Sequence, residues 1–424
     1  MGRGAAERAH RGIHRNPTGS DRTKEPAMTA LNGVTVLDLS RYLPGPYCTL
    51  MLADYGAEVI RVEQPHEVVK KRRTFGQADL PDAELERLKA YESISRNKRS
   101  VMLDLRAPSS REVMRRLIER ADVLVSDYRP GVLEEAGYDY ETVRAINPRL
   151  VYCAISLCGQ TGPYRDVPGH DPVSLAVAGV LTRFSSGPDS PRTIGVPISD
   201  INSALHAVVG ILLALRARET TGQGQLVDVA MSDTAFAFVS TSISRLLATG
   251  KVPEIGVNMA NNGVWETADG RHVCTTDMEP RYWSDFCDLI ERPQWKPYIY
   301  QRSHYEAELR EIFLTRTRDD WIDLFRQVGT QGAPVLTIAE AAEDPHALAR
   351  GVIATIADDA GNPVRQVGPL IRLSETPGAI RHVARMPGTD SRMVLAELGF
   401  TEAEANQLVA ETAAAGDPRL AGYL

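Results

Sequence analysis

Cysteine is scarce and scattered. Five occur in 424 residues, at positions 48, 153, 158, 274 and 287, and no two form a CxxC pair. This excludes a disulfide framework and the common zinc spacings, so no metal is expected. It fits a reducing, cytoplasmic setting. A basic excess is also missing. Forty-eight Lys and Arg stand against 55 Asp and Glu, a net charge of −7. A general nucleic-acid binder would need a positive field. Long apolar runs are few. The longest, Leu205 to Leu215 (LHAVVGILLAL), is expected to be too short to span a bilayer. No GxGxxG, GxxxxGK[ST], GxSxG or HExxH occurs. Dinucleotide enzymes, P-loop enzymes, α/β-hydrolases and zincins are therefore disfavoured.

What is present reads as an ordinary globular chain, 43% apolar and 24% charged. Its length suggests two or three domains. Residues 1–27 stand apart, with six Lys/Arg, three Asp/Glu and almost no large apolar side chain. Such a segment cannot bury enough surface to offset its ordering entropy, so a disordered extension is expected there. It has no apolar core of a secretory signal.

From residue 34 onward, short β-type runs alternate with helical stretches. Strands are expected at Val34–Leu39, Ala57–Glu63, Arg99–Leu105, Asp122–Tyr128 and Leu150–Leu157. Helices are expected at Thr49–Tyr55, Ser110–Ala121 and Asp139–Ile146. Alternation of this kind predicts an α/β fold with a parallel sheet. Ligands of such sheets sit beyond the carboxyl ends of the strands. The loops to watch are 40–47, 63–73, 105–109, 127–131 and 157–171.

Two aspartates are candidates for chemistry. Asp200 precedes the nearly continuous apolar stretch from Ile201 to Leu215, a buried helix closed by Gly222. The plain reading is an N-cap, whose carboxylate accepts the orphan amides of the first turn. The sharper reading is that the same amides and helix dipole fix an ionised carboxylate that attacks an acyl carbonyl. Asp171 follows His170 in GQTGPYRDVPGHD and precedes another apolar run, so it too reads first as a cap. With His170 it could serve as an acid/base pair.

Several segments in fixed order then carry a resemblance. They are LNGVTVLDLSRYLPGPYCTLMLADYGAEVIRVEQP (31–65), NKRSVMLDL (97–105), ADVLVSDYRPGVLEEAGYDY (121–140), NPRLVYCAISLCGQTGPYRDVPGHD (147–171), SDINSALHAVVGILLALRARETTGQGQLVDVAMSD (199–233) and TADGRHV (267–273). Together they resemble the class III CoA-transferases, the CaiB/BaiF family. The resemblance implies a large Rossmann-like domain with a parallel sheet, a smaller α+β domain, and two subunits interlocked as a homodimer. The large domain would take residues 28–225 and the returning tail 351–424. Residues 226–350 would hold linker helices and the small domain. It implies coenzyme A thioesters and free carboxylic acids as substrates, with no nucleic acid and no membrane as partner. It also implies a catalytic aspartate, placed at Asp200 with Asp171 as the other candidate. That aspartate would form first an acyl anhydride and then an aspartyl-CoA thioester.

The resemblance further implies CoA contacts at Arg61 to Gln64, Leu103 to Arg106, Asp127 to Arg129 and Pro168 to His170. The residues singled out are Arg61, Leu103, Arg106, Tyr128, Arg129 and His170. Arg106 and Arg129 suit phosphates. The chain departs from the formyl-CoA members. Leu43 stands where they carry a glutamine, Gln64 where they carry an arginine, and GVNMANNGVWETADG (256–270) replaces their tetraglycine loop. Formyl or oxalate specificity is therefore not expected. A rival on the same fold is α-methylacyl-CoA racemase, which would use Asp171 as base with Glu254 as a further acid. Its histidine partner is missing, since no histidine lies between His66 and His170. A catalytically silent CoA-binding scaffold is the third reading.

The remainder carries structure rather than chemistry. Val229–Thr249 reads as a helix pair. Pro280 opens a helix in which Tyr282, Trp283 and Phe286 are core residues. Helices are expected at Thr317–Val328, Ile338–Ala349 and Thr401–Ala415, the last with a Thr401/Glu404 capping box. Val352–Val364, with Gly361-Asn362, reads as a hairpin.

Overall fold

The computed structural model describes residues 29–184, 190–253 and 259–414. The proposed extension 1–27 and Glu254 lie outside the described residues.

Six short strands build one parallel sheet: β1 (Thr35–Asp38), β2 (Glu58–Glu63), β3 (Lys98–Met102), β4 (Val123–Ser126), β5 (Val151–Ser156) and β6 (Leu226–Ala230). Their order is β3-β2-β1-β4-β5-β6, the doubly wound arrangement whose ligand crevice opens where the order reverses, between β1 and β4. The central strands β4 and β5 are buried along their whole length, as the middle of a parallel sheet must be, while β6 at the edge is largely exposed at its start. One face packs Leu37, Ile60, Val101 and Leu124. The other packs Val36, Val59, Val125 and Ile155.

Helix α1 (Pro44–Asp54), α2 (Pro65–Thr74), α3 (Asp82–Ala90) and α4 (Ser110–Arg120) follow the first three strands. Alternation alone did not reveal α2 and α3, because their charged sequences (HEVVKKRRT, AELERLK) carry little apolar periodicity. The sixth strand corrects the helix pair expected at Val229–Thr249. Leu226–Ala230 pairs in parallel with β5, and the helices begin only at Met231.

The helix at Ile198–Thr221 is longer than the apolar run suggested. At 24 residues, with a mean hydropathy of 1.7 over its most apolar 18, it is long and apolar enough to cross a membrane by length and composition. One side of it packs on the sheet through Ala204, Ala207, Val208, Ile211 and Ala214. A β-carbon on Gly210 would lie 2.6 Å from Val227 Cγ1, so only glycine allows that approach. The helix stops at Gly222, whose φ of 71° is the left-handed conformation that ends helices and favours glycine.

A smaller antiparallel sheet, β7 (Gly263–Glu266), β8 (His272–Thr275) and β9 (Gly332–Pro334), is covered by helices Pro280–Leu289, Glu306–Phe313 and Arg318–Val328. Its core is aromatic: Trp265, Trp283, Phe286, Phe313, Trp321 and Phe325 stack within one cluster. Strands β10 (Ile353–Ala357) and β11 (Pro363–Val367) form the antiparallel hairpin, with Gly361 at φ 87° in the turn. The stretch Ile338–Ala349 divides at Asp344-Pro345, because proline cannot continue the first helix. The chain then returns. Val394, Leu395 and Leu398 pack in the same cluster as Leu37 and Val101, and Asp390 Oδ2 accepts the Ser100 amide at 2.8 Å. The final helix, Glu402–Ala414, has the Thr401/Glu404 capping box.

Candidate active site

The crevice is built by the segments that leave β1 and β4. Below it lies a sealed ion pair. Asp38, the last residue of β1, is fully buried and accepts Lys98 Nζ at 3.1 Å, Thr49 Oγ1 at 2.6 Å and the Ser40 amide at 2.9 Å. Lys98 Nζ also donates to the Pro46 carbonyl at 2.9 Å. Burial works against the ammonium ion and lowers the Lys98 pKa to about 8, with Asp38 opposing that shift. The network ties Ser40 and the first turn of α1 to the sheet. A β-carbon on Gly45 would sit 2.2 Å from Ser40 Cβ, so the turn needs glycine.

The other anchor is Asp127, just after β4. Both of its oxygens accept the Arg41 amide, at 3.0 and 2.9 Å, and Oδ2 accepts the Tyr42 amide at 3.1 Å. The Arg41 guanidinium lies 3.8 Å from the centre of the Tyr128 ring and 3.3 Å from Glu67. The Tyr128 hydroxyl accepts from Gln64 Nε2, and burial pushes its pKa up to about 12. Beside this crosslink opens a cavity of about 460 Å3, lined by Arg41, Leu43, Val62, Lys71, Phe75 and Tyr128 among others. Neither Asp171 nor Asp200 lines it.

The two candidate aspartates are brought together from 29 residues apart. Asp171 opens the short helix Asp171–Val177 and is buried. Its Oδ2 accepts the amides of Ser199 at 2.6 Å and Asp200 at 3.1 Å, in the first turn of helix Ile198–Thr221. Asp171 therefore caps a helix that is distant in sequence. This corrects the plain reading of Asp200. Asp200 is the third residue of its helix, not the cap, and its own amide is one of those capped. Among the described residues no hydrogen bond reaches the Asp200 carboxylate. It is half-buried, and its pKa is raised to about 7, first by burial, then by the negative charges of Asp171 and Asp127.

The expected CoA contacts separate into three groups. Arg61 and Tyr128 line the cavity, but Arg61 is buried and donates inward to Ser95 Oγ at 2.7 Å. Arg106, Arg129 and His170 are exposed on loops. Neither arginine is in an ion pair among the described residues, and the His170 ring lies edge-on to Tyr42 at 5.8 Å. Leu103 is a correction. It is 1% exposed inside the apolar cluster, so its side chain is a core residue and unavailable to a ligand. The Asp38–Lys98 pair and the crosslinking role of Arg41 were missed. Their only sequence signal is a charged residue at the end of a β-run, which local reading assigns to solvent.

With this geometry in view, the comparisons decide the family. The sequence profile of CoA-transferase family III matches residues 31–391. The chain belongs to CoA-transferase family III. It is 32% identical over 398 residues to a succinyl-CoA–D-citramalate CoA-transferase of Chloroflexus aurantiacus, covering 90% of this chain and 97% of that protein. It is 30% identical over 387 residues to a succinate–glutarate CoA-transferase of Agrobacterium fabrum, covering 88% and 96%. A solved CaiB/BaiF family protein from Brucella suis superposes with a TM-score of 0.75 at 29% identity, over 87% of this chain and 99% of that one. The mixed α/β architecture and the parallel sheet are thus those of the family III CoA-transferases, and the chain is a CoA-transferase by that kinship.

Proposed function

We propose that this CoA-transferase moves CoA between an acyl-CoA and a free carboxylic acid through covalent intermediates on Asp200. The observation that carries the reading is the contrast between its two aspartates. Asp171 is fixed by two amides. Asp200 is half-buried, takes no hydrogen bond on its carboxylate among the described residues, and is held near pKa 7. A carboxylate that is only partly solvated and takes no hydrogen bond is a stronger nucleophile than an ordinary one, and about half of it is ionised at neutral pH.

The steps balance without water. An Asp200 oxygen attacks the thioester carbonyl, the C–S bond breaks, and CoA leaves as thiolate from a mixed anhydride. The thiolate attacks the aspartyl carbonyl and releases the donor carboxylate, leaving a β-aspartyl-CoA thioester. The acceptor carboxylate attacks that carbonyl, forming a second anhydride and expelling the thiolate. The thiolate then takes the acceptor acyl group and restores Asp200. Asp171 acts as the positioning residue that orients the first helical turn and adds a like charge beside Asp200. Arg106 and Arg129 are the exposed cations that would meet the phosphates of CoA.

Names of the relatives suggest short dicarboxylic acids for the assay. Incubation with succinyl-CoA and glutarate, malate or citramalate should give new acyl-CoA. Mass spectrometry of the enzyme quenched during turnover should find CoA added to the peptide holding Asp200. Acyl exchange that survives intact in Asp200→Asn would refute the assignment. Incorporation of solvent deuterium at the α-carbon of a branched acyl-CoA, with no acceptor present, would instead support the racemase. No contact favours that reading, since the proposed base Asp171 has one oxygen engaged by two amides. Binding of CoA with neither reaction would leave the scaffold.

We also infer a homodimer. Leu205, Val209, Leu212 and Leu213 form an exposed apolar stripe, at the helical spacing, on the side of helix Ile198–Thr221 turned away from the sheet. Exposed apolar patches of this kind mark interaction surfaces.

A further inference from the structure

The cavity beside Arg41 continues inward. A second cavity of about 230 Å3 shares Glu63, Val68, Lys71, Phe75 and Glu92 with it and is closed by α2, α3 and the segment Met386-Pro387. Its charges do not balance. Lys71 and Lys89, the latter at 2.6 Å, both bond to the one carboxylate of Glu92. Glu63 is engaged by Arg61 at 3.7 Å and by the Ser100 hydroxyl. Arg72, which also lines this cavity, is 6% exposed, and both of its terminal nitrogens are buried with no hydrogen-bond partner among the described residues. Three cations, Lys71, Arg72 and Lys89, thus line this cavity against two carboxylates, Glu63 and Glu92. A buried guanidinium without an acceptor is costly, since a desolvated charge needs a counter-charge or hydrogen bonds. One uncompensated positive charge on the wall of a cavity is the complement of an oxyanion, and guanidinium is the group best matched to its paired oxygens.

We propose that this inner cavity is an oxyanion site, in which Arg72, Lys71 and Lys89 hold a carboxylate or phosphate group of a substrate while its reacting end lies toward the outer cavity. Arg72 closes on the anion by a change of rotamer, and Lys89 turns to it from Glu92. Two sources share this chemistry: the second carboxylate of a dicarboxylic acid, and a phosphate of CoA. The proposal rests on the transferase reading for its substrates, but its binding test does not need turnover.

The test titrates the full-length protein with glutarate, with valerate as the monocarboxylate of equal length, with CoA and with dephospho-CoA. Each titration compares the unaltered protein with Arg72→Gln and Lys89→Met. One charge-assisted bond lost from such a site predicts a loss of about tenfold or more. If Arg72→Gln weakens glutarate and spares valerate, the anion belongs to the acid. If it weakens CoA and spares dephospho-CoA, the anion is the ribose phosphate. A tenfold loss for CoA and dephospho-CoA alike places the pyrophosphate there. Any of these supports the site, with Lys89→Met showing the same selectivity and Arg72→Lys restoring part of the affinity. Equal affinities for all four ligands in the unaltered and altered proteins would overturn it. Failure of acyl exchange with every acid, by contrast, would remove the transferase reading while the titrations still decide the site.

Discussion

Replacing Asp200 by Asn should abolish exchange and, at the same time, make the protein more stable. The folded carboxyl has a pKa of about 7 against an ordinary 3.8, raised by burial and by Asp171 and Asp127. The unfolded chain therefore releases its proton more readily than the folded one. The penalty is absent below the unfolded value, grows as pH rises from about 4 to 7, and is complete above 7. A shift of about 3 units corresponds to roughly 4 kcal/mol at about 1.4 kcal/mol per unit. Because Asp200 is half-buried and water screens part of this, about 2 kcal/mol is the better expectation. Asparagine is nearly the same size and keeps the amide that Asp171 caps. Urea unfolding followed by fluorescence at pH 8.5, 7, 5.5 and 4 should show a gain for Asp200→Asn of about 2 kcal/mol at pH 8.5, shrinking steadily below pH 7 and vanishing near pH 4. Exchange in the same preparation should fall on the order of 10⁴-fold, as for loss of a nucleophile. A variant less stable at pH 8.5, or a difference that does not change with pH, would show that Asp200 is not the strained carboxylate described.

Other outcomes rest on named contacts. Asp171→Asn keeps an oxygen for the two amides but removes the like charge. The pKa of Asp200 should fall, and the acid limb of the exchange pH profile should move to lower pH, as steady-state rates between pH 5 and 8 will report. Lys98→Met leaves Asp38 buried without its counter-charge and should cost about 3–5 kcal/mol in urea unfolding, with Lys98→Met/Asp38→Asn recovering part of the loss. Arg96, 2% exposed, pairs with Asp54 at 2.6 Å and bonds to Gln366 of β11 at 3.2 Å. Arg96→Met should therefore release the hairpin, read as faster proteolytic cleavage near 358–362. Leu213→Glu in the apolar stripe should shift the light-scattering mass from dimer to monomer.

Much of the fold was legible because its signals are local. The strand–helix alternation gave the parallel sheet. Gly222 ends its helix and the Thr401/Glu404 box starts another for reasons contained within a few residues. Helices rich in charge, α2 and α3, were not legible, since they are held by contacts with the cavity wall rather than by an apolar stripe of their own. Strand β6 was hidden because its short run passes directly into helix.

The sequence by itself determined the class of fold and the kinship with the CoA-transferases, and it marked Asp171 and Asp200 as candidates. Only the tertiary structure decided which of the two takes the helix amides. A capping residue read locally should serve the helix it begins. Here the Asp171 carboxylate spans 28 residues of chain to reach the Ser199 amide, and the Asp200 carboxylate, with no hydrogen bond among the described residues, lies close to two other acids. The same holds for Arg72, which falls in the segment 63–73 read as a loop and which the fold buries in α2 beside α3 and Glu92. Hydrogen bonds, burial and like charges depend on distance in space, and no local pattern of residues records which distant segments the sheet order will place side by side.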